Sequence, residues 1–431
     1  MKKKEKEENK SKKDIKNKKN ISKSKSKTKT NKLKKFFSKE EKYTNKDILL
    51  ITITSIVFGF VSCLFCFMFI TGGKNIITLC IDLKDFVKSY NTLTEKYYGK
   101  IDKQELINSA IKGMYYSVGD DYTIYMDKEE TEAFEEIITG EYEGIGCSVT
   151  TDENNNIKVY SIFENTPAAK SDLQVGDIII KVDKEDYTGK NSSDLANYIK
   201  TNKNKTVVLT VKRDNEEKEI TINREKVEIP SVSSKTYEKN DKKIGYIEIS
   251  TFSSVTKEQF ETKLKKLEKD KIDSLIIDVR NNGGGYLDCV TDITDLFLKK
   301  GEIVYQLETN GKKEKIKDTT KTHRDYKIAV LTNKGSASAS EILASALKET
   351  YGSYVVGTNT YGKGTVQETM TMKDGSIVKY TTKKWLTPKG NWVNKVGLEP
   401  TDEVEQKEEY YKNPTEENDS QLQKAIEILS N

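Results

Sequence analysis

A single histidine, His323, serves all 431 residues, and it sits in the polar stretch KDTTKTHRDYK with no apolar support to orient an imidazole. That disfavours a Ser-His-Asp triad, so any activated serine needs another base. One histidine also falls short of the usual zinc sites. Cysteine is scarce too: of five, Cys63 and Cys66 lie in an apolar run, and Cys80, Cys147 and Cys289 are an odd, scattered set. No disulfide framework is expected, and the chain is read as needing neither metal nor cofactor.

Charge is missing altogether from Ile48 to Ile70, the 23 residues ILLITITSIVFGFVSCLFCFMFI. At about 1.5 Å per residue, a helix of that length crosses a hydrocarbon core about 30 Å thick. The run is longer than a signal-peptide core and no cleavage pattern follows at TGGKN, so residues 47–71 are predicted to be an uncleaved anchor in a lipid bilayer. Residues 1–46 carry 20 lysines against six acidic residues, a net of +14, with almost no large apolar side chain. Such a tail cannot bury enough surface to order itself and is expected to be disordered. The whole chain is only +5, so the remainder nets 5 − 14 = −9, which excludes a basic nucleic-acid groove in the folded part. The lysines are expected to hold the N-terminus in the cytoplasm and to send residues 71 onward outside, as in a single-pass cell-membrane protein.

Residues 75–140 read as helical: FVKSYNTLTEKYY and KQELINSAIKGMYYSV space apolar residues three and four apart, and TEAFEEIITG ends on a capping glycine. These helices suit a stalk or a partner surface. From Glu141 the period changes to two, in IKVYSIF, GDIIIKVD, KTVVLTVKR and KEITINRE, with one helical stretch, SSDLANYIKT. The loop Gly144-Ile145-Gly146 with Thr166-Pro167-Ala168-Ala169, Leu173 and Gly176-Asp177 resembles a PDZ domain over 141–228. The resemblance implies that Gly144, Ile145 and Gly146 offer amides to a peptide's terminal carboxylate while the peptide adds a strand to the sheet.

Beyond this, KIGYIEIS, SLIIDVR and KIAVLTN are continuous apolar runs alternating with helical stretches, the pattern of an α/β core over 229–402. Residues 403–431 read as an acidic tail closing with one short helix.

The α/β core carries the chemistry. GSASASEILASALKE sets Ser336, Ser338 and Ser340 at alternate positions before a helix, so each is a candidate nucleophile. Ser338 also begins S-x-x-E with Glu341, a capping box, so a helix-cap role competes. Of the 69 lysines, Lys363 stands out between Gly362 and Gly364 after the strand SYVVG. Gly357, Gly362 and Lys363 also match a phosphate-binding loop except at its last position, where Gly364 replaces the hydroxyl residue.

Taken in order, DDYTIYM, GEYEGIG, LIIDVRNNGGGYL, NKGSASASEILASALK, GTNTYGKGTVQ and LTPKG resemble the carboxy-terminal processing proteases, serine peptidases with a Ser-Lys dyad. The fold implied is α/β and multidomain: a transmembrane helix, a helical segment, a PDZ domain and a ClpP/crotonase-like core. The site implied is Ser338 as nucleophile, Lys363 as general base and Gln367 as the side chain orienting it, with oxyanion donors at the Gly284 and Ala339 amides. Gly283 departs from the proline usual in that loop. Expected partners are protein substrates with accessible C-termini, with no nucleic acid; a homodimer is one assembly open to it. Two other readings remain: an inactive PDZ scaffold that binds C-terminal peptides, and a crotonase-like acyl-CoA enzyme.

Overall fold

The computed structural model describes residues 44–70 and 76–431; all but the last three residues of the lysine-rich tail lie outside the described residues. The chain divides into two units, residues 1–103 and 104–431. In the first, helix α1 (Asn45–Ile70) is long and apolar enough to cross a membrane, and its most apolar stretch buries nothing. Phe58, Phe60, Phe65 and Phe69 all stand exposed, as no core helix of a soluble protein would leave them. Helices α2 (Ile76–Asp82) and α3 (Lys84–Lys96) follow.

The second unit starts with α4 (Lys103–Tyr116). Where the helical reading expected more helix, β1 (Ile124–Met126) intervenes, because Thr123, Tyr125 and Met126 are buried in an extended segment. Helix α5 (Lys128–Thr139) is bounded by a reciprocal Asp127/Glu130 capping box and by Gly140 in the left-handed region, φ 71°.

The next domain runs through β2 (Glu141–Gly144), β3 (Cys147–Thr151), β4 (Ile157–Ile162), β5 (Ile178–Val182) and β6 (Glu185–Asp186), then α6 (Ser192–Thr201), β7 (Thr206–Arg213), β8 (Glu216–Asn223) and β9 (Glu225–Glu228). Strands β3-β4-β5-β7-β8 form an antiparallel sheet with β3 at its edge, while β2 pairs only with β9. The period-two pattern has its cause in the core: Ile157, Val159, Val207, Leu209, Val211, Ile220 and Ile222 face inward with Leu173 and Leu195. Asp177 of the Gly176-Asp177 pair is buried and accepts from Arg213 at 2.6 Å, tying the loop to β7.

The α/β core adds β10 (Val232–Lys239), β11 (Lys242–Ile249), α7 (Thr256–Lys269), β12 (Ser274–Asp278), α8 (Leu287–Thr294), β13 (Ile303–Thr309), β14 (Lys312–Lys317) and β15 (Lys327–Thr332). It continues with α9 (Ala339–Ala346), β16 (Tyr354–Gly357), β17 (Thr365–Thr371), β18 (Ile377–Leu386), β19 (Asp402–Glu403), α10 (Glu408–Lys412) and α11 (Ser420–Ser430). Its main sheet has the order β10-β11-β12-β15-β16-β19, parallel throughout except β10. Alternate residues of one strand serve opposite layers, which is why the strands read as unbroken apolar runs. Leu275, Ile277 and Val330 pack with α7, α8 and α9, whereas Ile276, Ala329 and Leu331 pack with α11. A smaller sheet, β1-β18-β13-β14 with β17 beside β18, flanks this core.

The C-terminal stretch is therefore no tail. Leu422, Ala425, Ile426 and Leu429 fall on one face of α11 and are buried, a helical spacing masked in the sequence by the acidic residues around it. Arg280, at the end of β12, fixes the helix by donating to Asp278 at 2.6 Å and to Asp419, the α11 cap, at 2.9 Å.

Candidate active site

Three serines alternate across the start of α9, and the backbone gives them different tasks. Ser336 donates to the Val279 carbonyl at 2.8 Å and accepts from the Asn333 N–H, and Ser340 donates to the Asn282 carbonyl at 2.8 Å. Both are fully buried and tie the loop after β15 to the loop after β12. Ser338 lies between them and lines a cleft of about 910 Å³. Its φ of 56° is unusual for a residue with a Cβ and costs about 1–3 kcal/mol. Its N–H donates to Glu341 at 2.8 Å, and the N–H of Ala337 before it donates to the Asn282 carbonyl at 3.0 Å.

Glu341 was visible in the sequence only as half of a capping box, yet it does more. Fully buried, it accepts from Ser338 N–H at 2.8 Å, Thr360 Oγ1 at 2.6 Å, Gly362 N–H at 2.7 Å and Lys363 N–H at 2.9 Å. One carboxylate thus holds the Ser338 and Lys363 backbones together. The same contacts remove the phosphate-loop reading: the amides of Gly362 and Lys363 already cradle an anion, and it belongs to the protein.

Lys363 reaches the same cleft, as do Gln367 and the glycines 283–285. The Trp385 indole donates to the Lys363 carbonyl at 2.6 Å and that of Trp392 to the Gly364 carbonyl at 2.8 Å, so both tryptophans of the chain fix this loop. A Cβ on Gly362 would sit 2.8 Å from the Gly397 nitrogen, and one on Gly364 would sit 2.6 Å from the Trp392 nitrogen. The flanking glycines are therefore demanded by packing. The Lys363 ammonium is held below its ordinary pKa, by burial first and by the nearby charge of Lys379 second, with Asp120 and Glu341 pulling the other way. Nζ also lies 4.4 Å from the centre of the Tyr122 ring. Lys379 lines the cleft itself and stands 5.1 Å over the Phe134 ring.

Gln367 donates through Nε2 to Thr365 Oγ1 at 2.9 Å and to Thr381 Oγ1 at 3.1 Å. Ala339 opens α9, so helix geometry leaves its N–H without an intrahelical partner. Gly284 differs from expectation: its N–H donates to Asn282 Oδ1 at 2.9 Å and so is already engaged. The reason is that the buried Asn282 gives its own Nδ2 to the Ile249 carbonyl at 2.8 Å, which turns its oxygen back onto the loop. Gly284 is nonetheless pressed against the serine, since a Cβ there would meet Ser338 Cβ at 2.8 Å and the Ala339 nitrogen at 3.0 Å. His323 is exposed in the loop between β14 and β15 and does not line the cleft.

The Gly144-Ile145-Gly146 loop is a separate feature, between β2 and β3. Ile145 is buried in the domain core, and the carbonyls of Ile145 and Gly146 accept from Ala168 and Phe163 at 2.8 and 2.9 Å. Gly146 has φ 87°, and a Cβ there would stand 2.2 Å from Thr166 Cβ, so Thr166 alone already requires glycine. Tyr142 packs its ring against Gly144, and burial pushes its phenol up to about 12.

Comparison with known proteins then settles the lineage. Residues 243–404 match the model of peptidase family S41, 144–223 that of the PDZ domain, and 73–130 that of the activating protease CtpB N-terminal domain. The carboxy-terminal processing protease CtpB of Bacillus subtilis (strain 168) is 39% identical over 330 residues, covering 76% of this chain and 68% of that protein. The chain belongs to peptidase family S41.

A probable CtpA-like serine protease of Staphylococcus epidermidis (strain ATCC 12228 / FDA PCI 1200) is 37% identical over 322 residues, covering 74% of this chain and 65% of that one. A putative S41 protease from Bacteroides fragilis NCTC 9343 has a similar fold, with TM-score 0.51, 15% identity, and coverage of 79% of this chain and 96% of that one. This S41 member is a carboxy-terminal processing serine protease with a PDZ domain.

Sequence reasoning passed over Glu341 as a clamp, Lys379, and the pair Asp120 and Tyr122, although DDYTIYM contains the last two. The glycine loop yields a direct test. Gly285, at φ 150°, would put a Cβ 2.1 Å from the Phe252 carbonyl oxygen, whereas a Cβ on Gly283 meets nothing within 4 Å. Gly285→Ala is expected to cost about 2–4 kcal/mol of stability, and Gly283→Ala to leave the melting temperature nearly unchanged, by thermal unfolding.

Proposed function

We propose that Ser338 is the nucleophile and Lys363 its general base. The observation that carries this is the sorting of the serines: of the alternating three, only Ser338 shares the cleft with Lys363. Neutral Lys363 Nζ takes the Ser338 Oγ proton, Oγ bonds to the scissile carbonyl carbon, and the carbonyl oxygen becomes the oxyanion. The Ala339 N–H faces that charge, joined by Gly284 N–H once it leaves Asn282. Lys363 then gives its proton to the departing amine as the C–N bond breaks. Water, deprotonated by the same lysine, releases the acyl group. Gln367, whose amide hydrogens go to Thr365 and Thr381, offers its carbonyl oxygen to orient the lysine.

A lysine with an ordinary pKa of about 10.4 is neutral in roughly one molecule in two thousand at pH 7, so the burial that lowers the Lys363 value bears directly on rate. Because the neutral form is the base, activity rises as pH climbs through that lowered value.

Helix α1 anchors the protein, with the N-terminus cytoplasmic and the catalytic unit outside. The PDZ domain selects exported substrates by their C-termini: the tail adds a strand to the free edge of β3 beside α6, and its carboxylate meets the amides of the 144–146 loop.

In purified protein, Ser338→Ala, Lys363→Ala and Lys363→Arg are each expected to abolish cleavage of an unstructured protein, the last because a guanidinium stays protonated. His323→Ala should keep the wild-type rate; appreciable turnover in Lys363→Arg would assign the wrong base. Substrates with amidated tails should show a higher KM than those with free tails, and equal KM values would remove the carboxylate reading. Protease added to wall-less cells should digest residues 71 onward and spare the tail; a protected catalytic unit would reverse the topology.

A further inference from the structure

We propose that Asp120, in the segment before the PDZ domain, is a positioning residue for catalysis: it decides which end of the Gln367 side chain is turned toward Lys363. The inference rests on the Ser338/Lys363 reading above and adds to it a residue from outside the stretch that matches the S41 model.

Asp120 Oδ2 accepts from Thr381 Oγ1 at 2.6 Å and from Thr123 Oγ1 at 2.6 Å, and Oδ1 accepts from the Tyr122 N–H at 3.2 Å. Burial works to raise its pKa, but these hydrogen bonds and the Lys363 charge outweigh it and hold the carboxyl below its ordinary range. It is therefore an ionised group, which accepts hydrogen bonds and cannot donate.

Thr381 has one hydroxyl hydrogen, and it goes to Asp120. Toward any other neighbour that hydroxyl can only accept. The neighbour is Gln367, 3.1 Å away. Turned the other way, the amide would set its oxygen against a hydroxyl oxygen with no hydrogen to share, so Nε2 must face Thr381. Its second hydrogen goes to Thr365 Oγ1 at 2.9 Å. Both hydrogens are then committed, and Oε1 is the one group of the amide left to accept a hydrogen from the lysine. The amide flip, and with it the direction of the Nζ lone pair, is dictated by a carboxylate two hydrogen bonds away.

Thr123 reinforces the link, accepting from the Thr381 N–H at 3.1 Å while it donates to Asp120. The same segment sets the Tyr122 ring under Nζ. Asp120 also acts on Lys363 through space, since its charge raises the lysine's proton affinity against the effect of burial. The two effects separate under substitution.

The test is the pH dependence of kcat and KM for an unstructured protein substrate, using the full chain in detergent. Thr381→Val removes the hydroxyl and is expected to lower kcat about tenfold or more with KM within about twofold, while Thr381→Ser recovers most of the loss. Asp120→Asn is expected to lower kcat and to move the acid limb of the profile to lower pH, because the lysine loses a neighbouring negative charge and its pKa falls. An unchanged kcat in Thr381→Val would overturn the proposal. So would equal losses in the valine and serine variants, or an acid limb that stays in place in a folded Asp120→Asn protein. Should that variant fail to fold, the Thr381 pair decides alone. Activity surviving Lys363→Ala would bring down the dyad beneath the proposal, whereas an inactive Lys363→Ala beside a fully active Thr381→Val would remove only the role of Asp120.

Discussion

The catalytic half of this molecule hangs on one buried carboxylate. Glu341 has no exposure to water, and a charge so placed is costly unless every part of it is paired. Its four donors come from the Ser338 loop and from the segment 360–363, which are separate in sequence and are joined through it and through the Tyr361 N–H, which donates to the Ser336 carbonyl at 3.0 Å. Displacing either loop would strand a charge in the interior, so the two are in place together or not at all. The arrangement also accounts for the backbone of Ser338: the positive φ is tolerated because hydrogen bonds from residues 336–341 over-determine the turn.

Lys363 experiences opposed influences, and their balance bears on its proposed role. Burial and Lys379 favour the neutral amine; Asp120 and Glu341 favour the ammonium, as does the Tyr122 ring beneath Nζ. A fully apolar pocket would yield a neutral lysine with nothing to steer it. The neighbours that oppose the neutral form are also bonded into the frame of the site, Glu341 to the Lys363 N–H and Asp120 to Thr381. Some of the proton affinity thus comes from groups that build the site.

Much of this was legible in the sequence, for stated reasons. The unbroken apolar strands, the period-two domain and the uncharged helix announce themselves locally, because burial on two faces, burial on one face and a long run without charge leave different patterns. Ser338, Lys363 and Gln367 were named from motifs, and the structure gathers them in one cleft. What escaped was non-local or double in meaning. Thr381 and Asp120 are 261 residues apart, and no spacing rule joins them. Glu341 satisfied a capping pattern, which concealed its bonds to residues 19 to 22 positions on. The amide of Gly284 was assigned by its place in a loop, but Asn282, two residues earlier, decides where that amide points. Net acidity hid the apolar face of α11, because charge was read for the segment as a whole while burial depends on which face a residue occupies.

The pairing of β2 with β9 has a consequence for the architecture as a whole. The PDZ domain leaves the catalytic unit at Gly140 and returns at Ile229, and the Ile229 N–H donates to the Gly140 carbonyl at 2.7 Å. Entry and exit are thus stapled side by side. Topologically the domain is a cassette let into a continuous chain, with α5 and β1 upstream and β10 downstream already belonging to the body that houses the cleft. A domain hung from a single linker is held at one point, but this one is held at two adjoining strands. Side-chain ties add to them, Lys200 to Glu136 at 2.8 Å and Lys263 to Glu164 at 3.8 Å, so a load that a captured chain end places on the cassette returns to the body through α5 and α7 as well as through the strands that admit it.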